Sequence, residues 1–185
     1  MPGVSAPEPF RRQLLEALPR LRRYARTLDF DAHATDDLVQ TTIERALTHW
    51  HQFDQRRDMR VWLLSIAHNA HLDRLRRDRR LAIVDPAQLA ESTVAAEGSF
   101  GADPGVQAAL RMDLLAALAR LSPPHREVLL LAGVEQLSYA ECAEVLGVPL
   151  GTVMSRLSRA RAEMRAALDG NRPGPTAQPG LRRVV

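Results

Sequence analysis

Hydroxyl and guanidinium groups recur along one stretch near the C-terminal end, with Thr152, Ser155 and Arg159 on one helical face and Met154, Arg156, Ser158, Arg161 and Arg165 beside them. Short hydroxyls can approach base edges, and guanidinium groups bond guanine or phosphate, so such a face suits the major groove of DNA. A second basic run lies at residues 74–80, RLRRDRR, with five arginines in seven positions. Alone, that run reads as a solvated helix end. Paired with another basic helical surface, it is what two-point contact with nucleic acid requires. No residue set suits bond-breaking chemistry. There is no GxxxxGK or GxSxG pattern and no acidic metal cluster, and His49, His51, His68 and His71 fit no zinc spacing with the lone Cys142 far away in the chain. The chain therefore reads as a binder without a metal or cofactor, and not as an enzyme.

The elements that must hold these groups follow from spacing. Ser138 and Glu141 form a capping box: the hydroxyl accepts from the Glu141 amide and the carboxylate reaches back to the Ser138 amide. Tyr139, Cys142, Ala143 and Leu146 continue as a buried stripe, Gly147 ends the helix in the left-handed conformation, and Pro149 opens the next. On that next helix Val153, Leu157, Ala160 and Met164 face inward. Two short helices joined by a glycine turn, the second rich in arginine, make a helix-turn-helix.

Three more helices are expected toward the N-terminus. Leu14, Leu18, Leu21, Ala25 and Leu28 give an amphipathic helix over 10–28. Thr35 is the expected N-cap of a second, which runs to Trp50 with Leu38, Val39, Thr42, Ile43, Ala46 and Leu47 as its apolar stripe. The third spans 59–80, with Trp62 in its apolar half and Asp73 positioned to pair with Arg77.

Charge divides the chain. All 25 basic residues are arginine, and the formal net charge is +3. Residues 1–80 hold 15 arginines against 11 acids, residues 81–105 hold four acids and no arginine, and residues 106–170 hold seven of each. The middle segment, with Pro, Gly and Ser and no sustained apolar period, reads as a flexible acidic linker that could span roughly 85 Å when extended. The expected architecture is all-α: a disordered start at 1–9, a helical domain at 10–80, the linker at 81–105, a second helical domain at 106–168, and a disordered tail at 169–185. No apolar run suits a membrane span, the start lacks the order of a signal peptide, and a single cysteine fits a reducing compartment, so the expected location is cytoplasmic.

With both halves read, the chain resembles the extracytoplasmic-function class of bacterial sigma factors, built from sigma region two, a linker and sigma region four. DDLVQTTIERA at 36–46 is similar to the family's polymerase-binding helix. VWLLSIAHNAHLDRLRR at 61–77 is similar to the helix of promoter melting and −10 recognition, including the Asn69, Asp73 and Arg76 spacing. LSPPHREVLLL at 121–131 and LGVPLGTVMSRLSRARAEM at 146–164 are similar to region four. The resemblance implies promoter-specific transcription initiation by core RNA polymerase. Asp37, Leu38, Val39, Gln40 and Thr41 would dock on the β′ coiled coil, and region four would meet the β flap. Arg56, Arg57, Arg60, Asn69, Arg74, Arg76 and Arg77 would face the −10 element. Thr152, Met154, Ser155, Arg156, Ser158, Arg159 and Arg161 would face the −35 element. Partners are then core polymerase, promoter DNA and an anti-sigma factor, with no direct membrane insertion. Met154 departs from the family pattern, where a basic residue is frequent, so the −35 sequence cannot be carried over. Two other readings stay open: a sigma-mimicking protein that sequesters an anti-sigma factor, and a stand-alone helix-turn-helix regulator.

Overall fold

Apolar residues three and four apart give the first helix, α1 (Glu8–Leu28), one buried stripe of Phe10, Leu14, Ala17, Leu21, Tyr24 and Ala25. Pro19 lies inside this helix but on its exposed side, where the Leu15 carbonyl that loses its amide partner can meet water. The structure is a computed structural model and describes residues 6–28, 31–84 and 106–169. The expectations for residues 1–5, for most of the linker (85–105) and for the tail from 170 onward lie outside those residues. Helix α1 begins two residues before the expected start, and Ala6 just ahead of it is buried.

Helix α2 (Ala32–Thr48) is capped by Asp31, whose carboxylate accepts from the Ala34 amide at 2.7 Å. Thr35 was the expected cap; it lies inside the first turn, buried, with its amide bonded to the Asp31 carbonyl. An aspartate one turn earlier caps at least as well as a threonine and lengthens the helix. A 3₁₀ turn (Trp50–Gln52) and an Asp54–Arg57 turn lead to α3 (Met59–Val84), four residues longer than its pattern suggests. Val61, Leu63, Leu64, Ala67 and Ala70 bury its inner face. Phe10, Phe53 and Trp62 meet edge-on or tilted at ring distances of 5.1 to 5.9 Å, which puts Trp62 in an aromatic cluster beneath the loop.

The second group is α4 (Val106–Arg120), α5 (Pro123–Gly133), α6 (Tyr139–Leu146) and α7 (Leu150–Asp169). Pro123 starts α5 at the position where a missing amide costs nothing. Val128, Leu131, Cys142, Val145, Leu146, Val153, Leu157 and Ala160 fill the space between α5, α6 and α7. The stripe of α6 differs at one end from its pattern: Tyr139 in the first turn is 39% exposed, and Val145 is buried. Among the described residues there are seven α-helices and no strand.

The two groups meet. Helix α6 packs on α3 and α5 packs on α1, and the buried apolar side chains form one continuous cluster through both groups.

Candidate nucleic-acid interface

The helix-turn-helix is built as its residue types dictate. The Ser138 amide donates to Glu141 Oε2 at 2.7 Å and the Glu141 amide donates to Ser138 Oγ at 3.2 Å, so both halves of the capping box are present. Gly147 closes α6 at φ 61° and ψ 33°, a conformation that a side chain would strain. The amides of Thr152 and Val153 then bond the Pro149 carbonyl and start α7. Val153, Leu157 and Ala160 are fully buried, which fixes the rotation of α7 about its axis. Met154, Ser155, Ser158, Arg159 and Arg161 are consequently exposed, with Thr152 and Arg156 half-buried at the margin. Ser155 Oγ donates to the Thr152 carbonyl at 3.0 Å, so its hydroxyl still has acceptor capacity toward a ligand. Met154 is 53% exposed, an apolar side chain held in solvent among polar ones.

On α3 the basic residues divide by their company. Arg76, Arg77 and Asn69 are exposed. Arg74 is half-buried and donates to the Ala34 carbonyl at 3.1 Å, tying α3 to α2. Asp73 does not pair with the Arg77 guanidinium through its carboxylate. It bonds Arg45 at 3.1 Å and Arg76 at 3.4 Å, while Arg77 Nε donates to the Asp73 carbonyl. The competing Arg45 comes from α2, a contact that spacing within one helix cannot reveal. In the loop, Arg56 is exposed, and Arg60 is clamped by Asp58, whose carboxylate accepts from Nε at 2.8 Å. These bonds from Arg60 hold the Asp58 carboxyl below its usual range. Arg57 reaches across to the second group and meets Glu144 of α6 at 2.7 Å.

On α2 the candidate docking residues also separate. Leu38 and Val39 are buried against the neighbouring helices, whereas Asp37 and Gln40 are exposed and Thr41 is half-buried. With Glu44, Ala70, Arg74, Arg77 and Asp78, the residues Asp37, Leu38, Gln40 and Thr41 line a shallow groove between α2 and α3.

One set of residues had no signal in local spacing. Glu127 of α5 is buried and accepts from Tyr24 Oη of α1, and its Oε1 lies 2.6 Å from His68 Nδ1 of α3. Burial, then the Glu127 charge, pushes the Tyr24 hydroxyl well above its ordinary pKa. Burial also lowers the pKa of His71 on the same side of α3. Glu135, 2% exposed, bonds Arg23 through both carboxylate oxygens at 2.7 and 3.3 Å and meets Arg20 at 3.5 Å. Gln136 beside it has φ 55°, a left-handed turn that a residue with a Cβ enters at a cost. These pairs span 59 to 115 residues of chain. The only hint in the sequence was an acid, Glu135, standing between an apolar helix and a capping box.

Among the described residues no group of three or more His, Cys, Asp or Glu could hold a metal ion, and no helix is long and apolar enough to cross a membrane. Cys142 is fully buried, and burial pushes its thiol up to about 11.

Known proteins share this arrangement. The family model for sigma-70, region 4 matches residues 111–164, and that for the Sigma2 domain of PhyR matches residues 14–68. The ECF RNA polymerase sigma factor EcfG of Rhodopseudomonas palustris (strain TIE-1) is 34% identical over 163 residues, covering 85% of this chain and 84% of that protein. The sigma factor RpoE of Bartonella quintana, solved in complex with the anti-sigma factor NepR, is similar with a TM-score of 0.75 and 30% identity, over 90% of this chain and 100% of that one. The NMR structure of the PhyRSL–NepR complex from Sphingomonas sp. Fr1 gives a TM-score of 0.57 at 26% identity, over 91% and 95% of the two chains. With helices, turn and order of segments in agreement across most of its length, the chain belongs to the ECF sigma factors of the sigma-70 family.

Proposed function

We propose that this sigma factor joins core RNA polymerase through the polar surface around Asp37, Gln40 and Thr41, with Leu38 and Val39 supporting it from below. It engages −35 DNA with the outward face of α7 and −10 DNA with the loop at Arg56–Arg57 and the exposed side of α3. The observation that carries this reading is the exposure of two separate basic helical faces, Ser155–Arg161 on α7 and Asn69–Arg77 on α3, each held by a buried apolar face behind it. On α7, Thr152, Ser155 and Arg159 are placed for base edges, and Arg161 lies further round for phosphate. On α3, Asn69 has the amide to read a splayed base edge, and Arg76 and Arg77 the charge to track a single strand. The polymerase performs the chemistry, and the protein acts where the polymerase is, in the cytoplasm. An anti-sigma factor is its regulatory partner, a reading supported by its likeness to RpoE in the complex with NepR.

One observation favours a second reading. The N-terminal match is to the Sigma2 domain of PhyR, and PhyRSL is solved bound to NepR, the anti-sigma factor also bound by RpoE, so the second reading is a sigma mimic that binds an anti-sigma factor and no promoter. The exposed Ser158, Arg159 and Arg161 favour the sigma factor, since a mimic has no use for a groove-reading face.

The test is promoter binding with and without core enzyme. Melting needs the polymerase, so the free chain should bind promoter duplex weakly and gain sequence specificity on joining core. Tight, specific binding by the free chain would point to a stand-alone regulator, and no core-dependent binding would point to the mimic.

A further inference from the structure

The first turn of α7 carries two features that folding does not account for. Leu150 is 49% exposed and Met154 53%, and they are the exposed large apolar side chains of this helix. Apolar residues scattered singly over a surface are ordinary, but these stand four apart and are neighbours on one edge of the helix. The burial of Val153, Leu157 and Ala160 fixes that edge outside the core. The second feature is Gly151 between them. Its φ is not positive, and a Cβ built on it would meet nothing within 4 Å, so neither backbone conformation nor packing calls for glycine there. A glycine without such a reason weakens a helix. Its use then lies outside the chain, where the missing side chain lets another molecule come close to the helix backbone.

We propose that Leu150 and Met154 read the 5-methyl groups of two thymines in the −35 element, with Gly151 leaving room for the base edges to approach. The proposal rests on the −35 reading of α7 given above, to which it adds Leu150, Gly151 and a ligand chemistry. The occupant follows from the major groove itself. Base pairs present donors and acceptors there, and the thymine methyl is the apolar group in that pattern, so an apolar helix edge has one partner to meet. Charge points the same way. Further along this edge Arg161 and Arg165 are exposed, which suits the phosphates that flank a base contact. On the other side of Gly151, Thr152 and Ser155 bring hydroxyls for the polar edges of neighbouring pairs. Four helical residues rise about 6 Å and base pairs about 3.4 Å, so the two methyl groups stand about two base pairs apart. Each methyl taken out of water against an aliphatic or thioether side chain should contribute about fourfold in affinity.

The test uses the full chain bound to core polymerase and a promoter library randomised across the −35 element. The holoenzyme should select thymines, on either strand, at two positions about two base pairs apart. In the selected promoter, deoxyuridine in place of either thymine removes only the methyl and should weaken binding about fourfold. Leu150→Ala should abolish that response at one position and Met154→Ala at the other, each leaving its neighbour's response intact. Gly151→Ala should weaken binding to every −35 sequence about tenfold, by crowding the approach. It should melt at the same temperature as the parent or higher, which separates a blocked approach from a damaged helix. Deoxyuridine that binds as well as thymine at both positions, alanine variants that keep both responses, or Gly151→Ala with parental affinity would overturn the proposal. Selection of a −35 element without any methyl response would fault the proposal alone, whereas a holoenzyme that selects no −35 sequence would fault the −35 reading of α7 with it.

Discussion

Replacing Glu127 with alanine leaves the Tyr24 hydroxyl and the His68 Nδ1 edge facing a space that water barely reaches, since Tyr24 is 1% exposed, His68 7% and Glu127 9%. Both groups meet the same oxygen, Oε1, so one substitution removes both contacts. An unsatisfied buried polar group costs about 1–3 kcal/mol, and two of them with the lost side-chain packing should total about 3–5 kcal/mol. At this chain size that corresponds to a melting temperature lower by about 6–20 °C. Glu127→Gln keeps an acceptor at the Oε1 position and loses only charge assistance, so it should cost about 1–2 kcal/mol. Tyr24→Phe should cost about 1 kcal/mol on its own and much less in the Glu127→Ala background, because the partner is already gone. Urea unfolding followed by circular dichroism measures all four. A loss under 1 kcal/mol for Glu127→Ala, or additivity of Tyr24→Phe with it, would refute the claim that this cluster ties the helix groups together.

Arg159→Ala should weaken −35 binding by the holoenzyme by about 1–3 kcal/mol with a loss of preference at one position, whereas Arg161→Ala should weaken all sequences alike and flatten the salt dependence; equal losses on every sequence for Arg159→Ala would make it a phosphate contact. Met154→Arg should raise general DNA affinity and shift preference at one or two positions, because a thioether can pack on a thymine methyl while a guanidinium seeks guanine or phosphate; an unchanged profile from a library randomised across the −35 element would place Met154 outside the readout surface. Stability should fall as pH drops through 6.5, the ordinary histidine value, because burial lowers the pKa of His71 and the unfolded chain takes the proton first. The loss continues until the folded-state pKa is passed, with the charges of Glu127 and Asp78 opposing the lowering and that of Arg126 adding to it. Urea midpoints between pH 7.5 and 5 should show it, and a slope that persists in His71→Gln would assign the effect elsewhere.

The helix-turn-helix was legible because its determinants are local. Ser138 and Glu141 are three residues apart, Gly147 marks the stop, and the period of Val153, Leu157 and Ala160 sets which face remains exposed. The boundary of α2 was misplaced because Asp31 and Thr35 are both competent caps one turn apart, and tertiary burial of Thr35 decides between them. Tyr139 was assigned to the core by period alone, but a first-turn residue at a helix end can satisfy the period and still look outward. The apolar stripe on α2 was legible in composition and not in direction, since Leu38 and Val39 turn inward and leave Asp37, Gln40 and Thr41 at the surface. The contacts of Glu127 and Glu135 were out of reach, because partners a hundred residues away leave no periodic trace.

Run-off transcription with purified core polymerase, this chain and a promoter library, followed by mapping of the start sites, tests the central claim most directly. The account predicts initiation from a defined subset of promoters sharing sequence at both the −10 and −35 elements, lost when Arg159 is replaced at one element or Asn69 at the other. Core enzyme that initiates no more specifically with the chain than without it would contradict the account.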